Sequence, residues 1–168
     1  QLAEMLVRDA IALKKDENIL IETTDTPADL SVALIRAVSK AGGRPFLTHH
    51  RSAVNRVLLQ NASDAQLKIA AEHDLAFMKN MQAYLSIRGS DNFVELSDVP
   101  EDRTFANRTI RHPVLDWRVN KTRWCVLRWP TPSMAQGAGM STEAFEDFYF
   151  KACLADYPAM QKAAKALV

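Results

Sequence analysis

The four histidines of this sequence are the side chains best suited to binding a metal ion. Their spacing, however, is not typical of a metal site. They are His49, His50, His73 and His112. His49 and His50 are adjacent at the end of a predicted strand, so their side chains point to opposite faces. The sequence has no HExxH motif, no CxxC motif and no Asp-rich loop, which are common arrangements of metal ligands. We therefore predict that this chain holds no complete metal site.

The motifs of nucleophilic catalysis and of phosphate binding are also absent. The sequence lacks a GxSxG nucleophile elbow, a GxxxxGKS/T phosphate loop and a GxGxxG nucleotide-binding loop. The paired Gly42 and Gly43 follow a predicted helix and are typical of a helix end. Cys125 lies in a predicted strand and Cys153 on a predicted helix, where both read as apolar packing residues. The sequence therefore predicts no catalytic residue in this chain.

A basic stretch with tryptophans nearby is the one pattern that suggests a nucleic-acid site. Its basic residues are Arg103, Arg108, Arg111, Arg118, Lys121 and Arg123, and the tryptophans are Trp117, Trp124 and Trp129. Basic and aromatic residues together can bind single-stranded RNA, but a solvated helix face or an intersubunit salt-bridge patch would look the same. The formal net charge of the chain is only +1, which argues against a dedicated nucleic-acid domain. We predict no nucleic-acid partner, and keep a non-enzymatic module that binds a small ligand or RNA through 103–129 as the alternative.

Helices and strands alternate along the chain. The predicted strands are Asn18–Glu22, Pro45–Thr48, Ala83–Arg88 and Arg123–Trp129. Alternation of this kind indicates parallel strands joined by right-handed crossover helices. The sequence therefore predicts an α/β three-layer domain of flavodoxin or Rossmann-like type, with about four parallel strands, that spans residues 1–168.

Helix boundaries are marked by capping residues and by changes in apolar periodicity. We predict an N-cap at Thr26 with Pro27 at the first helical position, a capping box from Ser63 to Gln66, and an N-cap at Ser141. The first helix is predicted to bury one face, and the helical stretch that opens at Asp98 to Glu101 is predicted to break near Pro113. The apolar face of the first helix comprises Leu2, Met5, Leu6, Asp9 and Leu13, with Asp9 as a polar interruption.

The last residues of the sequence continue a helical pattern after an interruption at Pro158. The apolar positions are Met160, Ala163, Ala164 and Leu167, close to the end at Val168. An apolar face at a chain terminus leads us to expect that this sequence is a piece of a longer polypeptide.

Composition narrows the class of protein. The chain has 168 residues, of which 48% are hydrophobic and 24% charged, as expected for one globular domain. No apolar run approaches the roughly 20 residues that span a bilayer, and we expect no membrane partner. Two cysteines outside any CxxC motif, with no export signal, favour a cytoplasmic location.

Ligands of open α/β sheets bind beyond the carboxyl ends of the strands. Arg88 and Asn92 follow the third predicted strand, and Trp129 and Thr131 follow the fourth. A guanidinium can pair with a carboxylate, and an amide can both donate and accept hydrogen bonds. We predict that these residues line a substrate cavity or an interdomain surface, although they could equally cap helices.

The segment 128–148, with one tryptophan shortly before it, carries a distinctive pattern that ends in an acidic and aromatic helix. The positions of the pattern are Trp124, Pro130, Thr131, Ala135, Gln136, Ala138, Gly139, Met140 and Ser141. This pattern resembles the aminopeptidase T and aminopeptidase S family of metallopeptidases. The run Ala83–Arg88 with Asn92, and the opening helix, charged turn and strand, are also similar to that family. One departure is Asp16-Glu17, which stands where the family often has a glycine.

The resemblance implies the N-terminal domain of a metal-dependent aminopeptidase that removes N-terminal residues from peptides. In such enzymes a larger C-terminal domain supplies the ligands of two divalent ions, such as zinc, cobalt or magnesium, and would follow Val168. This chain would then shape the cavity, with Gln136 among its lining residues, and would support a homodimer. We expect peptide substrate and its own C-terminal domain as partners, and no activity from the isolated chain.

Overall fold

The computed structural model describes residues 1–155, 160 and 164, and its centre is a sheet of four parallel strands. The strands are β1 (Asn18–Thr24), β2 (Arg44–His50), β3 (Ala83–Arg88) and β4 (Arg123–Arg128). Their order across the sheet is β2-β1-β3-β4, and every neighbouring pair is parallel. The predicted α/β architecture with four parallel strands is confirmed.

Helices cover both faces of the sheet. They are α1 (Leu2–Met5), α2 (Ala28–Lys40), α3 (Ser52–Asn61), α4 (Asp64–Met78), α5 (Glu101–Ile110), α6 (His112–Lys121), α7 (Pro132–Gly137) and α8 (Thr142–Cys153). Helices α1 and α2 pack together on one face, whereas α4, α5 and α6 contact one another on the other. No helix in this described part of the chain is long and apolar enough to cross a membrane.

The two faces of the sheet have very different compositions. Ile19 and Ile21 of β1 point into a large core under α1 and α2, together with Leu34, Leu85 and Ile87. The opposite face holds a smaller core. It consists of Leu20, Met78, Met81 and Tyr84, with Phe77 and Trp117 against it.

Towards the carboxyl ends of the strands this second face becomes polar, and we call that region the upper sheet face. Because side chains alternate along a strand, the register places Thr48, Glu22, Ser86 and Val126 in one row and His50, Thr24, Arg88 and Arg128 in the next. A doubly wound sheet normally has apolar side chains on both faces, so a polar region is a candidate for function.

The N-caps predicted at Ser63 and Ser141 are confirmed, and the N-cap predicted at Thr26 is wrong. The Ser63 hydroxyl accepts a hydrogen bond from the backbone N–H of Gln66, and the Ser141 hydroxyl accepts one from Ala144. At α2, however, the extended Pro27 (ψ 144°) occupies the N-cap position. The Thr26 hydroxyl is buried without a hydrogen-bond partner among the described residues, because the helix starts one residue later than predicted.

The first helix also differs from its prediction. After α1 the chain forms a π-helical turn over Leu6–Ala10, and the Ile11 N–H donates to the Leu6 carbonyl (2.9 Å). This wider turn rotates the following side chains away from the spacing of 3.6 residues per turn. As a result Val7 and Ile11 enter the core, while Asp9 is exposed and pairs with Arg8.

The other helical predictions have mixed outcomes. The stretch opened by Asp98 to Glu101 is divided at Arg111 into α5 and α6, next to Pro113, as predicted. The short helix α7 was not predicted. Of the predicted terminal face, Pro158, Ala163 and Leu167 lie outside the described residues.

The strand order reverses between β1 and β3, and the two loop segments that follow these strands contact each other at this point. The Gly89 N–H donates to the Thr24 carbonyl (2.7 Å), and a Cβ added at Gly89 would lie 2.2 Å from the Asp25 carbonyl oxygen. Such a distance leaves no room for a side chain, so only glycine lets the two segments pass this closely. Asp25 itself has a positive φ of 47°.

Replacement of this glycine tests the close approach. Gly89→Ala must push the β1 and β3 connections apart, and we expect the free energy of unfolding to fall by about 1–3 kcal/mol in urea denaturation. Gly137→Ala is the matched control, because its added Cβ would meet only the Phe93 ring at 3.5 Å. Equal stability of the two variants would show that the β1 and β3 connections can separate without cost.

Candidate functional site

The loop after β3 and the start of α7 form one unit at the carboxyl edge of the sheet. The Trp129 N–H donates to the Arg88 carbonyl (2.9 Å). The Thr131 hydroxyl, which is buried, donates to the Ser90 carbonyl (2.8 Å), and the Ser133 hydroxyl bonds to the same carbonyl. These hydrogen bonds therefore bring together Arg88, Trp129 and Thr131.

Five residues were predicted from the sequence to line a cavity or an interdomain surface, namely Arg88, Asn92, Trp129, Thr131 and Gln136. They do not lie on one cavity wall. The Trp129 ring is half-buried against the large core and meets the Phe150 ring edge to face, with centroids 5.7 Å apart. Asn92 is exposed in the loop after β3, where its side-chain Oδ1 accepts a hydrogen bond from the Val94 N–H (3.1 Å). Gln136 is exposed on α7 and Arg88 on the upper sheet face. That they line a substrate cavity or an interdomain surface stays a prediction.

Asp25 is a structural residue that the sequence analysis missed. Its carboxylate accepts hydrogen bonds from the Ser52 N–H (3.1 Å) and from the Ser52 hydroxyl at the start of α3. The residue at the N-cap position of α3, Arg51, makes no capping bond of its own. Because a carboxylate is favourable at the positive end of a helix, Asp25, directly after β1, supplies the cap that α3 lacks.

A network of partly buried charged and polar side chains crosses the upper sheet face. The Glu22 carboxylate accepts hydrogen bonds from the Tyr84 hydroxyl and from the Arg118 guanidinium (3.3 Å), and His50 Nε2 lies 3.8 Å away. The Arg118 guanidinium also stacks over the Tyr84 ring at 3.7 Å. The network therefore joins β1, β2 and β3 to helix α6.

The surroundings of Glu22 and Tyr84 move their pKa values in opposite directions. Burial raises the pKa of Glu22, but His50, the charge of Arg118 and the Tyr84 hydrogen bond outweigh it and lower the pKa to about 2. Burial and the neighbouring Glu22 charge raise the pKa of Tyr84 to about 12. A carboxylate held ionised in this way is a weak base, so the geometry suits a structural ion pair better than general-base catalysis.

A pocket of about 370 Å³ adjoins this network between the sheet and helices α4 and α6. Its lining residues include Glu22, His50, Asp74, Phe77 and Arg118. Its charged groups already have partners in the protein, since Asp74 pairs with Arg111 and with His73 (3.2 Å). The residues of this pocket are far apart in the sequence, and the proximity of Glu22 and His50 depends on the register of β1 and β2.

Most of the basic stretch is used inside the domain. Arg103 pairs with Asp64 (2.9 Å), Arg111 with Asp74, Arg118 with Glu22 and Arg123 with Glu17. These pairs remove the excess of free positive charge that binding to an RNA backbone requires. The alternative of a nucleic-acid-binding module is therefore not favoured.

The described residues do not fit a metal site. Within this part of the chain, no three His, Cys, Asp or Glu side chains form a group that could hold a metal ion. His49 illustrates the reason, because its Nδ1 is hydrogen-bonded to the Thr23 hydroxyl (2.7 Å), whereas the neighbouring His50 points towards Glu22.

The Glu22 network gives the stability of the domain a defined pH dependence. The pKa of Glu22 is about 2 in the fold, against its ordinary value of 4.5, so its ionisation stabilises the fold above pH 4.5 and this contribution is lost towards pH 2. The difference corresponds to about 3 kcal/mol.

We expect Glu22→Gln to lower the free energy of unfolding by about that amount at neutral pH. The gap between the parent chain and this variant should shrink as the pH falls from 4.5 towards 2. Urea denaturation across this range measures it, and a gap that stays constant would contradict the assignment.

The sequence matches a family model over nearly all of its length. The model is that of the thermophilic metalloprotease (M29) family, and the match covers residues 1–165. No curated protein matches this chain.

A solved structure shares this fold. Wild-type AmpT from Thermus thermophilus superposes with a TM-score of 0.75 at 19% sequence identity, over 98% of this chain and 45% of that one. The chain thus spans less than half the length of that protein. A putative LacI-family repressor from Corynebacterium glutamicum matches with a TM-score of only 0.33, at 11% identity over 76% of this chain and 60% of that one, and carries no structural argument. From the family match over residues 1–165, together with the AmpT fold, we conclude that this chain belongs to the thermophilic metalloprotease (M29) family.

Proposed function

We propose that this chain is the N-terminal domain of a metal-dependent aminopeptidase, which removes N-terminal residues from peptides. The observation that carries the proposal is the match to the metalloprotease family over residues 1–165. The resemblance of the segment 128–148 to aminopeptidases T and S, and the shared fold with AmpT over 98% of this chain, support it.

In this proposal the reaction takes place on polypeptide other than this chain. The described residues offer no group of ligands for a metal ion, so we assign both divalent ions that the resemblance implies to the rest of the enzyme. Bound metal ions of this kind polarise the scissile carbonyl and activate a water molecule. The present domain then contributes walls to the substrate cavity and excludes solvent.

An apolar surface beside the carboxyl edge of the sheet is suited to contact the rest of the enzyme. We call it the edge surface, and it consists of Val54, Val57 and Leu58 on α3 with Phe93, Val94 and Leu96 in the loop after β3, which are 46–65% exposed. Salt bridges from Arg56 to Glu95 (3.2 Å) and Asp98 (2.7 Å) join the helix to the loop. An apolar patch of this kind marks an interaction site, and we assign it to the C-terminal domain.

The cellular setting and the assembly belong to the same proposal. Cys125 carries a free thiol, and burial raises the pKa of that thiol, which makes it unreactive. A thiol of this kind is in keeping with a reducing cytoplasm. We also propose a homodimer, which the resemblance to the aminopeptidase family supports.

The assignment of the metal ligands predicts how activity divides between the domains. The enzyme that contains this chain should release leucine from leucyl p-nitroanilide with added cobalt or zinc and lose that activity on chelation. The purified 168-residue chain should show no turnover under the same conditions. Turnover by the chain alone would overturn the division of roles, and an inactive metal-loaded enzyme would overturn the aminopeptidase assignment.

The edge surface should be covered in the enzyme and open in the isolated chain. We expect the thiol introduced by Val94→Cys to react with maleimide readily in the chain and at least about tenfold more slowly in the enzyme, because burial restricts access to the thiolate. Cys125 and Cys153 are replaced by alanine in both proteins. Ile69→Cys on α4 is the control, since Ile69 is 69% exposed and lies outside the edge surface. Equal rates at both positions in the enzyme would place the contact elsewhere.

A further inference from the structure

We propose that Arg88 and Arg128 together bind the free α-carboxylate of a short peptide, an inference that rests on the proposed function. The two residues end the neighbouring strands β3 and β4 and are partners in their register. Adjacent strands lie about 4.8 Å apart, so the two side chains start from nearly the same point. Two guanidinium groups carried at paired positions of neighbouring strands suit a planar anion with two oxygens.

The two arginines point to the same face of the sheet. Cys125 and Leu127 of β4 pack against the large core, so alternation places Arg128 on the opposite, upper sheet face. Arg88 lies on that face as well, because its Nε donates to the Ser86 hydroxyl (3.2 Å). That bond occupies the inner nitrogen of the guanidinium and leaves its two terminal nitrogens for a ligand.

Neither arginine has an acidic partner among the described residues. In the same part of the fold Arg118 and Arg123 are each paired with a glutamate, whereas both Arg88 and Arg128 are exposed and form no salt bridge. Like charges side by side on adjacent strands repel each other. A shared anion would remove this repulsion, and the Glu22 carboxylate on the same face of the sheet is already paired with Arg118.

The neighbouring surface fits the remainder of a peptide. Val126 and Trp124 lie on the same face of β4 and are 40% and 49% exposed, so this face of the strand remains largely open. A peptide whose carboxylate reaches the two arginines would place its last side chains against these apolar groups. Peptides with a free C-terminal carboxylate should therefore bind this domain more tightly than the corresponding C-terminal amides.

Nuclear magnetic resonance of the arginine Nε–H groups in the 168-residue chain tests the inference without any metal ion. Acetyl-Ala-Ala with a free carboxylate should shift the Arg88 and Arg128 signals saturably, with a dissociation constant on the order of 1 mM. Its C-terminal amide should leave them unchanged. Arg88→Gln and Arg128→Gln should each weaken binding about tenfold, whereas Arg108→Gln on α5 should not affect it.

The variants are interpretable because loss of either arginine should not unfold the domain. Relief of the repulsion should leave the Tm unchanged or slightly higher. Equal shifts with the acid and the amide, or no saturable shift with either, would overturn the inference. Tighter binding of inorganic phosphate than of the peptide acid would reassign the site to a phosphate ligand.

The inference can fail separately from the proposed function. In the enzyme, Arg88→Gln should raise KM for Ala-Ala-Ala about tenfold and leave KM for its amide unchanged, with kcat retained. An active aminopeptidase that treats acid and amide alike would overturn only the carboxylate site. Saturable binding of the acid by the chain, with no peptidase activity in the enzyme, would retain the site and reject the proposed function.

Discussion

The Glu22 carboxylate on a central strand of the sheet is the constraint on which the arrangement of the upper sheet face depends. Glu22 lies on β1, which has a strand on either side, and a buried charge is costly unless it is paired. Tyr84, His50 and Arg118 supply that compensation from three further elements. The ion pair fixes α6 on the sheet, and the upper sheet face stays polar around it.

The sequence predicted the parts of this fold that depend on local rules. Alternation of apolar runs, the two serine caps and the break beside Pro113 require only neighbouring residues, and the structure agrees with them. The prediction failed where geometry departs from the regular repeat. The π-helical turn brought Val7 and Ile11 into the core, and the extended Pro27 displaced the cap expected at Thr26.

The candidate site depended on information that a single sequence does not carry. Arg88 could be predicted as a site residue because it stands at the end of a predicted strand. Its proximity to Arg128, however, follows only from the register of β3 and β4. The cap that Asp25 provides to α3 likewise joins residues that are distant in the chain. Both contacts join segments that only the folded chain brings together, so neither could be recognised from local sequence patterns.

Strand β4 also carries a hazard, since it lies at an edge of the described sheet and its interior is apolar from Trp124 to Leu127. An exposed edge with such a run can pair with the same strand of another molecule and start aggregation. Arg123 and Arg128 bracket the run, and charges in these places act as gatekeepers against strand-to-strand stacking. Arg128, which we propose as a ligand-binding residue, thus also stands in the position of a gatekeeper.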